Sequence, residues 1–243
     1  MKVAIIIPTK NEEKYLPILL DSLKKQTFKK FKIYVADAKS KDKTRKIAKS
    51  YGCIVVEGGL PSVGRDNAAR IAIKDGADIL VFIDADVVLP TIDFMDKALN
   101  EFKNKKLDLA TARIKPIFLG RKDKGLLIME IRLLYFIYNI IIILFQRTKR
   151  PFMQNYMISR SIVHKKINGF GKMEFGEDSE YCKKAVLFGY NFRILNSPGK
   201  IFLYPRRFID NGFWKILFIL LFLNLRIILG YKPLIKKKRL YFK

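Results

Sequence analysis

The sequence places two carboxylates directly after a fully apolar run, in the stretch Ile79-Leu80-Val81-Phe82-Ile83-Asp84-Ala85-Asp86. Such a short apolar run predicts a strand that is buried on both faces of a sheet. In open α/β sheets, ligands bind at the carboxyl ends of these strands. Carboxylate oxygens suit Mg²⁺ or Mn²⁺, which leave their other positions to water and substrate phosphate. The alternative is that Asp84 and Asp86 merely end the strand, and the neighbouring sequence has to decide.

Two other strands are predicted to end at the same edge of the sheet. The apolar run at 3–7 stops at a proline, and Thr9 or Asn11 is a suitable N-cap for the helix that follows. The run at 32–36 ends in Asp37. Three acids from two strand ends would therefore converge on one edge of the sheet, which favours a site over a simple strand terminus.

Strands and helices alternate through the first half of the chain. Strands are predicted near residues 3–7, 32–36, 53–56, 79–83 and 107–112, and helices near 12–25, 42–50, 64–74 and 92–103. This alternation is typical of right-handed βαβ units. The fold class that it predicts is α/β, with a mostly parallel sheet and helices on both faces.

Size and charge restrict the function classes. A chain of 243 residues suits one domain with a short appendage, which we place at 1–205 and 206–243. The formal charge of +26 indicates a polyanionic partner. The sequence has no helix-turn-helix, zinc-finger or RNA-binding-strand pattern, so we expect no nucleic acid as partner and favour an anionic membrane surface. Cys53 and Cys182 have no metal-type spacing and are expected to be buried, reduced thiols.

Five ordered motifs within 1–205 resemble family 2 glycosyltransferases. They are Ile7-Pro8-Thr9 with Asn11-Glu12, Asp37 followed by Ser40, Asp42 and Thr44, Arg65 with Asn67, Asp84-Ala85-Asp86, and Glu177-Asp178. The resemblance implies the nucleotide-diphospho-sugar transferase fold with a single Asp-x-Asp. It also implies an inverting, single-displacement transfer of a sugar from a nucleotide-sugar donor.

The resemblance assigns the donor side of the site. It implies that Asp86 is a ligand of Mn²⁺ or Mg²⁺, and that Asp84 contacts the ribose or shares the metal through water. It places Asp37 at the nucleotide base or ribose. The pocket for the nucleotide would be lined by Pro8, Thr9, Asn11 and Glu12. Arg65 and Asn67 match the family pair less well, because Asp66 stands between them where the two are commonly adjacent.

The acceptor side is expected at Glu177 and Asp178, which follow a Gly-Phe-Gly segment and open a helix. The resemblance makes Asp178 the general base, with Glu177 as its catalytic neighbour. The alternative is that both acids only favour the helix dipole. Arg206 and Arg207 resemble a basic pair of small membrane-bound relatives and would bind phosphate, unless they form a solvated pair. His164 is expected to be structural rather than a metal ligand.

Two apolar stretches are expected near the membrane. In 126–146, the polar residues Arg132, Asn139 and Gln146 recur every seven residues and so share one helical face. As a helix, the uncharged part of this stretch would be roughly 20 Å long, which is short for a membrane span. We therefore predict that 126–150 is an interfacial helix that lies in the plane of the membrane. The alternative is a buried core helix.

The stretch 213–229 and the basic cluster at 236–239 form the second element, a C-terminal interfacial or membrane helix with its tail. A solvated basic tail is the alternative.

The expected function is therefore a metal-dependent inverting glycosyltransferase at the cytoplasmic membrane face. No signal-peptide pattern precedes the first strand. The acceptor is expected to be lipid-linked, either a polyprenyl phosphate or a lipid-linked glycan. The alternatives are a soluble transferase acting on a sugar or protein, a sugar nucleotidyltransferase, whose Gly-rich N-terminal loop is missing, and a non-catalytic membrane-binding module.

Overall fold

The computed structural model describes residues 1–118, 125–153, 155–173 and 176–228. Its strands are β1 Val3–Thr9, β2 Phe31–Asp37, β3 Ile54–Glu57, β4 Ile79–Ile83, β5 Val87–Val88, β6 Leu109–Pro116, β7 Tyr156–Arg160 and β8 Phe192–Leu203. Its helices are α1 Leu16–Lys24, α2 Thr44–Ser50, α3 Pro61–Lys74, α4 Phe94–Asn104, α5 Gly125–Phe145, α6 Ser161–Lys166, α7 Glu177–Leu187, α8 Arg206–Asn211 and α9 Phe213–Ile228.

The strands form one mixed sheet in the order β3-β2-β1-β4-β7-β6-β8-β5. The first four strands of the chain pair in parallel, as the βαβ pattern predicts. Beyond β4, β7 is antiparallel to both of its neighbours, while β6 and β8 are parallel to each other. The carboxyl ends of β1, β2 and β4 consequently lie side by side, and β7 brings the second half of the chain against them.

The sheet is covered on both faces because side chains alternate along each strand. In β1, Val3, Ile5 and Ile7 pack in a core cluster with α1 and α4. The intervening Ala4 and Ile6 pack in the opposite cluster with α3 and α7. The expected α/β architecture with helices on both faces is confirmed.

Helix α1 begins later than predicted, at Leu16, so the N-cap expected at Thr9 or Asn11 is wrong. The side chains of both residues bond elsewhere, Thr9 to Asp37 and Asn11 to the backbone of Lys41. The loop between β1 and α1 is thereby tied to the loop after β2. The residues that were expected to cap a helix instead shape the edge of the sheet where ligands bind.

Helix α5 lies against the domain along one narrow stripe of buried residues, Ile131, Tyr135, Asn139 and Ile142. Asn139 accepts from the Ile114 amide at 2.9 Å and donates to the Ile114 carbonyl at 2.8 Å. The polar face predicted for this helix therefore turns toward β6 at Asn139, and Tyr135, expected on the apolar surface, is buried. Most of the other apolar residues of α5 are exposed, so α5 is not a core helix.

Helix α9 packs against α5 and α8 and is anchored by Phe213 and Ile216. Trp214, Phe218 and Leu221 are exposed. Within the described residues, α5 is the one helix that is long and apolar enough to cross a membrane by length and composition. The basic cluster predicted at 236–239 lies outside the described residues.

Candidate active site

The first wall of the site is built where β1 and β2 end. Their register pairs Thr9 with Asp37, and the Thr9 hydroxyl lies 3.3 Å from Asp37 Oδ1. Asp37 is fully buried and also accepts from the Ser40 amide at 3.1 Å and from Arg45 Nη1 at 3.2 Å. These bonds fix the carboxylate that was predicted to meet the nucleotide, in a polar corner beside the half-buried Pro8.

The loop after β1 continues this wall. Asn11 adopts a left-handed backbone conformation with φ of 55°, and its Oδ1 accepts from the Lys41 amide at 2.9 Å. The amide of the next residue, Glu12, donates to Thr44 Oγ1 at 2.7 Å. Asparagine tolerates this conformation better than most residues, so the turn directs the Glu12 side chain toward the acids of β4.

Arg65 joins the two groups of acids that were predicted separately. From the buried face of α3 it donates to Asp84 Oδ1 at 2.5 Å and to Glu177 Oε1 at 2.7 Å, and it lies 3.4 Å from Asp178 Oδ1. Its side chain is only 4% exposed. Burial disfavours the charge, yet three carboxylates raise the pKa of Arg65 above its usual value. One buried cation thus connects the acid that follows β4 to the two acids that open α7.

Asp84 is held from its other side by Asn155, which precedes β7. Asn155 Nδ2 donates to Asp84 Oδ2 at 2.8 Å, and the Asn155 carbonyl accepts from the Asp84 amide at 3.0 Å. Burial raises the pKa of Asp84, but the charges of Arg65 and Arg207 and these hydrogen bonds outweigh it and lower the pKa. Asp84 is therefore an ionised anchor, with both carboxylate oxygens already engaged.

Arg206, the first residue of α8, closes the site on the side of Asp86. It donates two parallel hydrogen bonds of 2.6 Å to the Glu12 carboxylate, and its Nε lies 3.1 Å from Asp86 Oδ2. The guanidinium also lies over the ring of Tyr15. Burial raises the pKa of Glu12 to about 7 despite this contact. The charge of Arg207 acts to lower the pKa of Asp84 and of Asp86, so both arginines predicted for phosphate are near the site.

The acids at the end of β4 fit a cation that is shared with a diphosphate. Among the described residues, no three His, Cys, Asp or Glu side chains form a complete metal-binding group. Mg²⁺ is commonly held by one or two carboxylates, with phosphates and water completing its shell. Asp86 would supply the direct ligand, and Asp84, whose oxygens bond Arg65 and Asn155, would act through water.

The proposed acceptor acids lie in the first turn of α7, as predicted. The turn begins after Gly176, whose φ is 74°. Burial raises the pKa of Asp178 to about 8, although the charge of Arg65 opposes the rise. A base with a pKa near neutrality is suited to proton transfer. Glu177 holds Arg65 more closely than Asp178 does, which leaves Asp178 the weaker-held acid of the pair.

Asn67 lies apart from Arg65 in the structure, and its predicted part in donor binding stays a prediction. Its Nδ2 donates to the Glu57 carbonyl at 3.1 Å. It is Asp66, the residue inserted between Arg65 and Asn67, that points toward the acceptor side. Each residue along a helix turns the side chain by about 100°. Arg65 and Asn67 are two residues apart and therefore point about 200° away from each other.

His164 is structural, as expected. Its ring is buried, and its Nδ1 lies 3.2 Å from the Tyr181 hydroxyl. Burial lowers the pKa of His164 to about 4, helped by the charge of Arg70. Cys53 and Cys182 are free and buried, also as expected.

Comparison with known sequences agrees with this geometry. A family model described as glycosyl transferase family 2 matches residues 4–167. The chain belongs to glycosyl transferase family 2. The match covers the carboxylates of β2 and β4 and the arginine of α3, and it ends before α7.

Similar curated proteins include bacterial transferases. Over 93 residues the chain is 39% identical to the 4,4'-diaponeurosporenoate glycosyltransferase of Staphylococcus haemolyticus, covering 36% of this chain and 24% of that protein. It is 28% identical over 119 residues to the O-antigen chain rhamnosyltransferase RfbN of Salmonella typhimurium, covering 48% and 38%. The chain therefore matches well under half the length of these relatives.

Solved structures share the fold over most of the chain. Staphylococcus aureus TarS 1-349 in complex with UDP-GlcNAc aligns with a TM-score of 0.65 at 22% identity, covering 84% of this chain and 58% of that one. The mannosyltransferase PcManGT of Pyrobaculum calidifontis, in complex with GDP-Man and Mn²⁺, aligns with a TM-score of 0.64 at 19% identity, covering 83% and 56%. The nucleotide-diphospho-sugar transferase fold is confirmed.

Three residues that hold the segments around the site were not predicted from the sequence: Ser62, Asp66 and Asn155. Asn155 carried one weak signal, since an asparagine just before a strand often adopts a left-handed turn. Ser62 and Asp66 carried a signal in their spacing with Arg65, because residues at i, i+3 and i+4 share a helical face. Their partners lie more than 100 residues away, and no local pattern identifies such partners.

Proposed function

We propose that the chain is a metal-dependent, inverting glycosyltransferase that moves a sugar from a nucleotide-diphospho-sugar to a lipid-linked acceptor. The observation that carries the proposal is the pairing of two acid groups through Arg65, with Asp84 on one side and Glu177 and Asp178 on the other. A displacement reaction needs charge stabilisation at the leaving group and a base at the acceptor. The two acid groups supply these functions from opposite sides of one buried cation.

The donor would occupy the edge formed by β1, β2 and β4. Thr9, Asn11 and Asp37 would form the corner that binds the nucleotide, and Asp86 would bind the cation that contacts the diphosphate. A bound divalent cation would stabilise the charge that develops on the departing nucleoside diphosphate. Arg206 now uses its planar fork on the Glu12 carboxylate, and the same fork suits a phosphate. The nucleotide sugars bound by the structural neighbours support this donor class.

Asp178 would accept the proton of an attacking hydroxyl. Its raised pKa makes it a stronger base than an exposed carboxylate, while Arg65 keeps its charged form accessible. A polyprenyl phosphate acceptor is already anionic at neutral pH and would need no such base. The demand on Asp178 therefore differs between the two kinds of lipid-linked acceptor.

The lipid-linked acceptor is supported by the exposed apolar surface of α5 and α9. Leu126, Met129, Leu133, Phe136 and Leu144 of α5 are each more than half exposed, as are Trp214, Phe218 and Leu221 of α9. Contiguous apolar surfaces of this kind mark protein or membrane contacts. The high positive charge of the chain favours an anionic membrane, which we place at the cytoplasmic face.

The docking of α5 favours an orientation in the plane of the membrane. Its buried stripe runs from Ile131 to Ile142 and contacts the domain through β6. A helix held along its side in this way could not cross a bilayer without drawing β6 into the hydrocarbon core, where unpaired polar groups are costly. The exposed side of α5 would then lie on the lipid, as in other interfacial helices.

A transfer assay tests the activity and the acceptor class together. The purified chain is incubated with Mn²⁺ and a panel of nucleotide sugars, and offered polyprenyl phosphate or a lipid-linked glycan in vesicles, or free sugars in solution. We expect transfer from one donor to the vesicle-borne acceptor. Equal transfer to a water-soluble acceptor without vesicles would support the soluble alternative instead.

Vesicle flotation tests the membrane surface separately. Trp214→Ser with Phe218→Ser removes two exposed aromatic residues of α9, and Phe188→Ser removes a similarly exposed aromatic at the end of α7 as the control. We expect the α9 variant to bind anionic vesicles more weakly and with a steeper salt dependence, because electrostatic attachment is screened while apolar insertion is not. A wild-type chain that is monomeric without detergent and ignores anionic vesicles at low salt would contradict the proposal.

A further inference from the structure

One face of α3 contacts residues 170–173, which precede α7 and Asp178 in the chain. Ser62, Arg65 and Asp66 stand at i, i+3 and i+4, so their side chains share a face, and all three are buried. Arg65 contacts the acids of α7. Ser62 and Asp66 form hydrogen bonds to the backbone of the segment before α7. Asp66 also lies 3.6 Å from His164 Nε2, and neither residue has a part in the chemistry proposed above.

Asp66 fixes the glycine turn at 169–171. Its Oδ1 accepts from the Phe170 amide at 2.9 Å, and its Oδ2 accepts from the Gly171 amide at 3.2 Å. Gly169 has a φ of +64°, and a Cβ there would meet Asp66 Oδ1 far inside contact distance. The turn therefore requires a glycine both for its backbone conformation and for the close approach of this carboxylate.

Ser62 fixes the next residues of the same segment. Its hydroxyl donates to the Met173 carbonyl at 2.9 Å and accepts from the Met173 amide at 3.2 Å. Phe170, whose amide donates to Asp66, packs on Tyr181 of α7 with ring centroids 4.4 Å apart. The segment is thus held to α3 by its backbone and to α7 by a ring contact.

We propose that Ser62 and Asp66 are positioning residues that set where Asp178 stands relative to the donor acids. Helix α3 leads directly into β4, so the helix that holds the acceptor segment also precedes Asp84 and Asp86 in the chain. A displacement reaction is sensitive to the placement of its groups, and an error of 1 Å costs about 10²-fold in rate. The inference rests on the proposed role of Asp178, and Ser62 and Asp66 touch no reacting atom.

The test compares Asp66→Ala with Asp75→Ala. Asp75 follows the same helix and accepts from the buried Tyr34 hydroxyl at 2.7 Å, away from the acids, so its loss measures a purely structural effect on α3. We expect Asp66→Ala to lower kcat for transfer by about 10²-fold, with the affinity for donor and Mn²⁺, measured calorimetrically, changed by less than about threefold. Asp75→Ala should leave kcat near that of the wild type.

Two further measurements separate positioning from loss of structure. Amide hydrogen exchange at 169–173 should accelerate in Asp66→Ala and not in Asp75→Ala. Asp66→Asn keeps an acceptor for the Phe170 amide and should recover part of kcat. If Asp66→Ala does not fold, Ser62→Ala, which removes only one hydroxyl, is tested in its place. A fall in kcat without a matching fall in donor affinity then supports the positioning role.

The outcomes distinguish this inference from the function on which it rests. Wild-type kcat in Asp66→Ala, or a fall in donor affinity as large as the fall in kcat, overturns the positioning role. Asp178→Asn is measured in parallel with a hydroxyl acceptor. Normal transfer by Asp178→Asn refutes the base itself, whereas loss in Asp178→Asn with normal Asp66→Ala refutes only the positioning.

Discussion

Replacing Arg65 by methionine would remove the cation that holds three acids together. Methionine has a similar length and leaves the helix propensity of α3 almost unchanged. Asp84, Glu177 and Asp178 would then face one another without the charge that lies 2.5, 2.7 and 3.4 Å from them. The substitution therefore tests whether the two sides of the site depend on a single residue.

The expected loss of folding stability is estimated from the burial of Arg65 rather than from the number of its ion pairs. Exposed pairs contribute about 0–1 kcal/mol, but removing one partner of a buried group leaves uncompensated charge and costs about 3–5 kcal/mol. Arg65 is 4% exposed, and all three acids are largely buried, so the higher range applies. The free energy of unfolding at pH 8 should fall by about 3–5 kcal/mol.

Acid should reduce this loss. The charge of Arg65 lowers the pKa of Asp84 and of Asp178, so its removal should raise both pKa values. The folded variant should then bind more protons than the folded wild type as the pH falls. Stability relative to the wild type then rises as the pH falls. Urea unfolding followed by circular dichroism at pH 8 and pH 5 should show a large difference between the two proteins at pH 8 and a smaller one at pH 5.

Arg160→Met is the matched control. Arg160 is 39% exposed, lies 3.4 Å from Asp108 and donates to the Leu107 carbonyl at 2.9 Å, so its loss should cost about 1–2 kcal/mol. An Arg65→Met protein as stable as the control at pH 8, or one that loses stability equally at both pH values, would refute the reasoning.

Three other substitutions test separate parts of the account. Asp86→Ala should abolish metal-dependent turnover with an unchanged melting temperature, and full turnover of this variant in excess chelator would contradict the metal assignment. Asp178→Asn should lower transfer to a hydroxyl acceptor by about 10²-fold or more. The wild-type rate should rise with pH through about 8 as the base loses its proton, and this rise should be absent in Asp178→Asn. Asn139→Ala should leave the buried Ile114 amide and carbonyl unpaired and cost about 1–3 kcal/mol for each. Calorimetric melting compared with the exposed Asn104→Ala measures this, and equal melting temperatures would show that α5 is not held there.

The architecture was predictable because local patterns specify it. The strand runs at 3–7, 32–36 and 79–83 and the helices between them follow from apolar periodicity, and the structure differs by a few residues at their ends. The start of α1 was wrong because Thr9 and Asn11 bond to the loop after β2. A sequence pattern describes only near neighbours in the chain. Here the side chains that were expected to cap a helix bond to residues that are distant in the sequence.

The site was predictable in its acids and not in its connections. The strand ends and the order of motifs predicted that Asp37, Asp84 and Asp86 stand at strand ends and that Asp178 stands at a helix start, and the structure has them there, while their roles stay predictions. The contacts of Asp66 to Phe170 and of Asn155 to Asp84 span 104 and 71 residues and depend on how β7 and α7 return to the sheet. The face of α5 that meets the domain was predictable only in part, since Asn139 was recognised as sharing a face with Arg132, yet it pairs with backbone while Arg132 is exposed.

The most direct test of the central claim is calorimetric binding of nucleotide sugars with and without Mn²⁺. The account predicts that one donor binds in the presence of the cation, that chelation weakens its binding strongly, and that Asp86→Ala binds equally weakly under both conditions. Failure of every nucleotide sugar to bind the wild-type chain with Mn²⁺ would contradict the account, as would binding that is indifferent both to chelator and to Asp86→Ala.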